Sequence, residues 1–245
     1  MITPSFRIEL APTGKLRVGI NYGNPVLATR DPASGDLHGV AVELARELAR
    51  RVDIPVELVG FESAGQMVEG LKAGAWDVAF LAVDPGRAGE INFSAPYLEI
   101  EGTYLVPAGS PLRVIGEVDR AGVRIGVSAK SAYDLFLSRS VKYAELVRAP
   151  DPNAAFELLI AGKVDVVAGV RQPLVTNTEK LPGSRVFDGR FMVIQQALGI
   201  PKGRDEGAKY LREFIEDVKA SGWVAQAIEK AGVRGVSVAP RVPVH

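Results

Sequence analysis

The 245 residues contain no cysteine, which excludes a disulfide framework and any thiolate chemistry. Histidine is almost as scarce, with only His38 and His245. With two histidines and no cysteine, neither a zinc site nor a Ser-His-Asp triad is expected. Long apolar runs are missing as well: residues 78–83 are among the longest, far short of the ~20 needed to span a bilayer. Charge of one sign is not in excess, since 29 Lys and Arg balance 29 Asp and Glu. A nucleic acid or an anionic membrane would call for a clustered basic face, so neither is an expected partner. Walker A, Gly-x-Gly-x-x-Gly and His-Glu-x-x-His patterns are all absent, and no cofactor or metal is expected. Gly126-Val127-Ser128-Ala129-Lys130 starts like a nucleophile elbow but ends in lysine. The opening residues 1–7 lack the apolar stretch of a secretory signal, so the chain reads as cytoplasmic unless a signal has been removed.

What is present is the composition of a packed α/β protein, 47% hydrophobic and 24% charged, long enough for two lobes. Two segments recur in the same order. Leu16-Arg17-Val18-Gly19-Ile20-Asn21 is echoed by Val123-Arg124-Ile125-Gly126-Val127-Ser128. Leu71-Lys72-Ala73-Gly74-Ala75-Trp76-Asp77-Val78 is echoed by Leu159-Ile160-Ala161-Gly162-Lys163-Val164-Asp165-Val166. The first pair reads as a buried strand, the second as a helix stopped by glycine before a new strand. Two strand–helix–strand units imply two lobes with mainly parallel sheets.

The periodicity fills in the rest. Apolar spacing predicts a helix over residues 40–51, with a strand over 55–59 after it. Ser63, Ser131 and Asp151 are placed to cap helices. A helical stripe from Tyr210 to Val218 stops at Gly222, and a short helix follows. Residues 103–107 and 195–200 read as strands that carry the chain between lobes, with 108–111 as linker. One lobe is therefore expected from 1–108 with 197–245, the other from 109–196.

These stretches carry a resemblance. Residues 14–19, 35–48 and 74–77, and above all Asp84-Pro85-Gly86-Arg87-Ala88-Gly89-Glu90-Ile91-Asn92-Phe93-Ser94-Ala95-Pro96-Tyr97, look like the extracellular solute-binding proteins of family 3, which serve polar amino-acid ABC transporters. The resemblance implies an α/β type II periplasmic-binding-protein-like fold. Each of its two lobes would be a mainly parallel sheet flanked by helices, joined by two hinge strands. It further implies closure of the lobes on a small solute, a transporter permease as partner, action as a monomer, and no catalysis.

Carried over residue by residue, the resemblance makes Arg87 the guanidinium that grips a carboxylate, as an exposed side chain in the cleft. Ser131, at the start of a helix, would offer a hydroxyl and free amides to the same group. Lys130 stands where the family has glycine. Ala82 replaces the family hydroxyl five residues before the arginine, Val26 replaces its stacking aromatic with Tyr22 nearby, and Val170 replaces the aspartate that receives the ligand's ammonium, with Arg171 next. A buried ammonium without a carboxylate is costly, so an anionic, carboxylate-bearing solute fits better than an α-amino acid. Asn24, Asp84 and Gln195 are candidate polar liners, as are Asn21 and Gln196.

Two other readings compete. A dehydratase acting on a cyclic carboxylate such as prephenate or arogenate would need a general acid, for which Glu62, Asp84 and Asp134 are candidates. A cytosolic sensor or vestigial scaffold would keep the fold and lose the transporter.

Overall fold

The computed structural model describes residues 4–243. In chain order the elements are α1 (Pro4–Leu10), β1 (Leu16–Asn21), β2 (Thr29–Arg30), β3 (Leu37–His38), α2 (Val40–Val52), β4 (Val56–Phe61), α3 (Ala64–Lys72) and β5 (Val78–Ala82). There follow β6 (Ile91–Phe93), β7 (Leu98–Val106), β8 (Arg124–Ser128), α4 (Ala132–Ser140), β9 (Glu145–Ala149), α5 (Pro152–Ile160), β10 (Val166–Val170) and α6 (Arg171–Asn177). The chain finishes with β11 (Arg185–Val186), β12 (Met192–Pro201), α7 (Asp205–Ala220), α8 (Trp223–Ala231) and β13 (Val236–Val238).

The chain forms two compact units. The first takes residues up to Glu99 and from Gln195 onward; the second is Ile100–Ile194. Both boundaries fall inside strands, β7 and β12, because an extended segment can serve two units without a break in its hydrogen bonding. Residues 108–111, read as linker, form a turn inside the second unit, where Arg185 reaches back to the Leu112 carbonyl.

The first unit orders its strands β4-β1-β5-β12. The three leading strands are parallel, and β12 joins β5 antiparallel with Gln196 opposite Ala82. The second unit orders β7-β10-β8-β9, again three parallel strands with one antiparallel neighbour. All-apolar β5 is buried along its length, as a central parallel strand must be. Helix α2 turns Leu44, Ala45, Leu48 and Val52 inward, and Met67 and Trp76 close a core against β5. In the second unit Phe156 and Leu159 of α5 pack with Val164, Val167 and Leu174.

The caps fall where the sequence places them. Ser63 Oγ accepts from the Gln66 amide, Ser131 Oγ from Asp134, and Asp151 from Ala154. One helix escaped the periodicity: α1 is too short to show a repeat, yet Phe6 stacks on Tyr210 of α7 at 4.7 Å.

The two sequence echoes fold into the same device. Arg17 donates its Nε and Nη2 to Asp77, both at 2.9 Å, and Nη1 to the Gly74 carbonyl at 2.8 Å. Arg124 likewise donates its Nε and Nη2 to Asp165, at 3.1 and 3.0 Å, with Nη2 also reaching the Gly162 carbonyl at 3.3 Å. The glycines sit at φ +64° and +67°, the left-handed conformation that ends each helix.

Candidate functional site

In parallel α/β sheets, solutes meet the carboxyl ends of the strands, where loops gather and helices begin. Each unit carries its candidate residues there. In the first, β5 ends at Ala82 and the chain turns sharply. Asp84 Oδ1 accepts from the Gly86 amide at 2.7 Å, and the Arg87 amide donates to the Asp84 carbonyl at 3.0 Å. This turn folds the Arg87 side chain back so that Nη1 donates to the Ala82 carbonyl at 2.8 Å. Arg87 is therefore not the exposed side chain expected of it: it is 4% exposed, because the turn tucks it against its own strand. Burial lowers its pKa to about 10, opposed by the neighbouring Asp84 charge, so it stays cationic at neutral pH.

The structure brings Ala82, Asp84, Arg87, Gln195 and Gln196 together. Gln195 accepts from the Val83 amide through its carbonyl and donates Nε2 to Glu99 at 3.1 Å. Past the end of β1, Asn21 Oδ1 holds the Gly23 amide at 3.0 Å and Asn24 Oδ1 the Val26 amide at 3.3 Å. Both asparagines thus shape the loop that carries Tyr22. Val26, where the family has an aromatic, is buried in the core.

In the second unit β8 leads into Lys130 and Ser131, and β10 into Arg171. Lys130 has φ +59°, a left-handed conformation, which accounts for the family's glycine at this place. Its amide donates to Asp134 Oδ2 at 2.8 Å, and Asp134 also takes Arg148 Nε at 3.0 Å. Ser131 is buried, its hydroxyl engaged as a cap. The phenol of Tyr133 hydrogen-bonds Ser131 and Ser128, and burial pushes its pKa up to about 12.

Arg171 has a different employment from the one expected. Its Nε donates to Glu101 at 2.6 Å, Nη1 to the Phe187 carbonyl at 3.0 Å, and Nη2 to the Gly189 carbonyl. Arg190 grips the same Glu101 at 2.8 Å, and the two arginines hold that carboxyl below its usual range. Sequence reasoning missed Glu101; the alternation of Glu99 and Glu101 along β7 was the available signal. Of the three acids a dehydratase could use, Glu62 and Asp84 lie in the first unit and Asp134 in the second, with Asp84 and Asp134 occupied by local amides.

The family model for bacterial extracellular solute-binding proteins, family 3, matches residues 16–233. The chain belongs to this family. Among its relatives, the L-cystine-binding protein TcyJ of Escherichia coli K12 is 22% identical, over 89% of this chain and 82% of its own. Two solved structures share the fold. The solute receptor for L-cysteine of Neisseria gonorrhoeae superposes with a TM-score of 0.79 at 22% identity, covering 94% of this family 3 chain and 93% of its own. The ancestral amino acid-binding protein AncCDT-1, a precursor of cyclohexadienyl dehydratase, gives a TM-score of 0.75 at 21% identity, covering 93% and 99%.

Proposed function

We propose that this family 3 protein binds a small carboxylate-bearing solute without chemical change. Arg87 is the principal cation, the two units close over the solute, and a transporter permease receives it from the monomeric protein. The observation that carries this is the placement of Arg87: a cation kept charged at 4% exposure, at the carboxyl end of β5 beside Gln195. Lys130 and the Ser131 start of α4 stand at the corresponding edge of the second unit, where helix amides and the dipole favour an anion. Two proteins of the same fold are a receptor for L-cysteine and an ancestral amino acid-binding protein. Here Val170 occupies the place of the ammonium's acceptor, and Glu101, the acid at that edge, is already held by two arginines. An acid lacking the amine fits this site better.

The test is a thermal-shift comparison of amino acids with their keto- and hydroxy-acid analogues. Ligand at ~100 times its dissociation constant should add roughly 2.7 kcal/mol. The amine-free acids are expected to raise Tm at least as much as the amino acids, and to be recovered unchanged. Arg87→Gln should remove most of the shift, measured against its own ligand-free Tm because the buried arginine also supports the fold. A strong α-amino preference would make Asp84 the ammonium's partner. No shift with any acid would end the solute-binding reading.

A further inference from the structure

Beside the end of β1 the first unit has an open groove of ≈ 770 Å³. Its walls are Tyr22 and the β2–β3 hairpin, including Thr29, Arg30, Asp31, Ser34 and Gly35. Arg30 stands over the Tyr22 ring, its guanidinium carbon 5.4 Å from the centroid, while Nη1 donates to the Tyr22 hydroxyl at 3.2 Å. A ring face and a hydroxyl together hold a guanidinium in one plane and leave its charge in place. Among the described residues no ion pair includes Arg30. Asp31, its sequence neighbour, is turned to its own loop, where Oδ1 accepts the Ala33 and Ser34 amides at 2.8 Å each. Gly35 lies beside this guanidinium, where an added Cβ would come 3.6 Å from Arg30 Nη2.

We infer that Arg30, stacked on Tyr22 in this groove, receives a second acidic group of the solute, which makes the preferred solute a diacid. The inference rests on the carboxylate reading above and deepens it. Register supplies the second argument. Val18 pairs with Val78 and Gly19 with Ala79 in parallel, and the same offset carried one residue past the end of β1 sets Tyr22 level with Ala82, whose carbonyl holds Arg87. Neighbouring strands lie about 4.8 Å apart. Tyr22, whose ring carries Arg30 of the β2–β3 hairpin, thus stands one strand from the Ala82 carbonyl that holds Arg87, so the two cations flank the same end of the first unit's sheet.

Isothermal titration at fixed ionic strength tests this with matched pairs: butyrate and succinate, valerate and glutarate, benzoate and phthalate. The expected result is that at least one diacid binds more tightly than its monoacid. Arg30→Gln should bring that ratio down about tenfold, the worth of one charge-assisted hydrogen bond. Arg30→Lys should restore part of it, and Arg50→Gln, which removes a positive charge from α2, should leave it intact. Equal binding of mono- and diacids, or a ratio indifferent to Arg30→Gln, overturns the inference and leaves the carboxylate reading standing. If neither class binds in any pair while keto or hydroxy acids do, the diacid preference is overturned; if no acid binds at all, both readings fall.

Discussion

The two units contain the same arginine–aspartate clamp, written with the same residues and bonded with nearly the same geometry, yet in different surroundings. In the first unit the Asp77 side chain is 0% exposed, and a second guanidinium, Arg204, approaches it at 3.4 Å. In the second unit the Arg124 and Asp165 side chains are 41% and 40% exposed. Sequence determines which atoms meet: a strand arginine, a stopping glycine and an aspartate before the next strand. Burial decides what the meeting is worth. A carboxylate cut off from water depends wholly on its partners, whereas an exposed one exchanges them for solvent at little cost.

Substituting the acids separates the two. Asp77→Asn should cost about 3 kcal/mol in urea denaturation, because the half-covered Arg17 and Arg204 both lose a counter-charge whose own side chain water does not reach. Asp165→Asn should cost less than about 1 kcal/mol. The second clamp should also be sensitive to acid. Hydrogen bonding from Arg124 holds the Asp165 carboxyl below its usual range. A depressed carboxyl contributes stability above its unfolded pKa and loses it as pH falls through the folded value. The difference between wild type and Asp165→Asn should therefore vanish below the ordinary aspartate range. Equal costs for Asp77→Asn and Asp165→Asn would break the comparison.

The backbone half of the clamp should behave in the opposite way. Gly74 and Gly162 have φ values of +64° and +67°, and an added Cβ at either would meet nothing within 4 Å. The only penalty for alanine is the left-handed conformation itself, about 1–2 kcal/mol. Gly74→Ala and Gly162→Ala should lower stability by the same amount within error. Unequal losses would mean that the units differ in backbone strain as well as in burial.

Much of this architecture was legible beforehand because it is local. Caps at Ser63, Ser131 and Asp151, the α2 stripe and both echoes depend on residues a few positions apart, and all appear. The site was less legible because it depends on where side chains turn after the strands end. Nothing in Asp84-Pro85-Gly86-Arg87 announces that Arg87 folds back onto the Ala82 carbonyl. Arg171 reads as a free cation until Glu101, seventy positions earlier in the chain, is set beside it. Contacts of that separation have no periodicity, and only the fold reveals them.

The smallest expected effect lies where the units depart from their common pattern. Continued past β1 and β8, the echo aligns Gly23 with Lys130. At Gly23 a Cβ would sit 1.8 Å from the Glu62 carbonyl, so glycine is compulsory there. At Lys130 the chain takes φ +59° with a full side chain, at the start of the helix proposed to face the solute's acid group. Left-handed backbone costs a non-glycine residue roughly 1–2 kcal/mol, and glycine's greater freedom when unfolded returns about 0.5–1 kcal/mol of any gain. Lys130→Gly should therefore stabilise the protein by only about 0.5 kcal/mol. The amide that donates to Asp134 is retained, so α4 should keep its start. What the variant should lose is affinity for carboxylates, since it removes a positive charge beside Ser131. A modest rise in Tm with weaker acid binding would show strain kept for the sake of that charge. A rise in Tm with undiminished binding would show that Lys130 points away from the solute and that the second unit holds its anion through Ser131 and the helix amides alone.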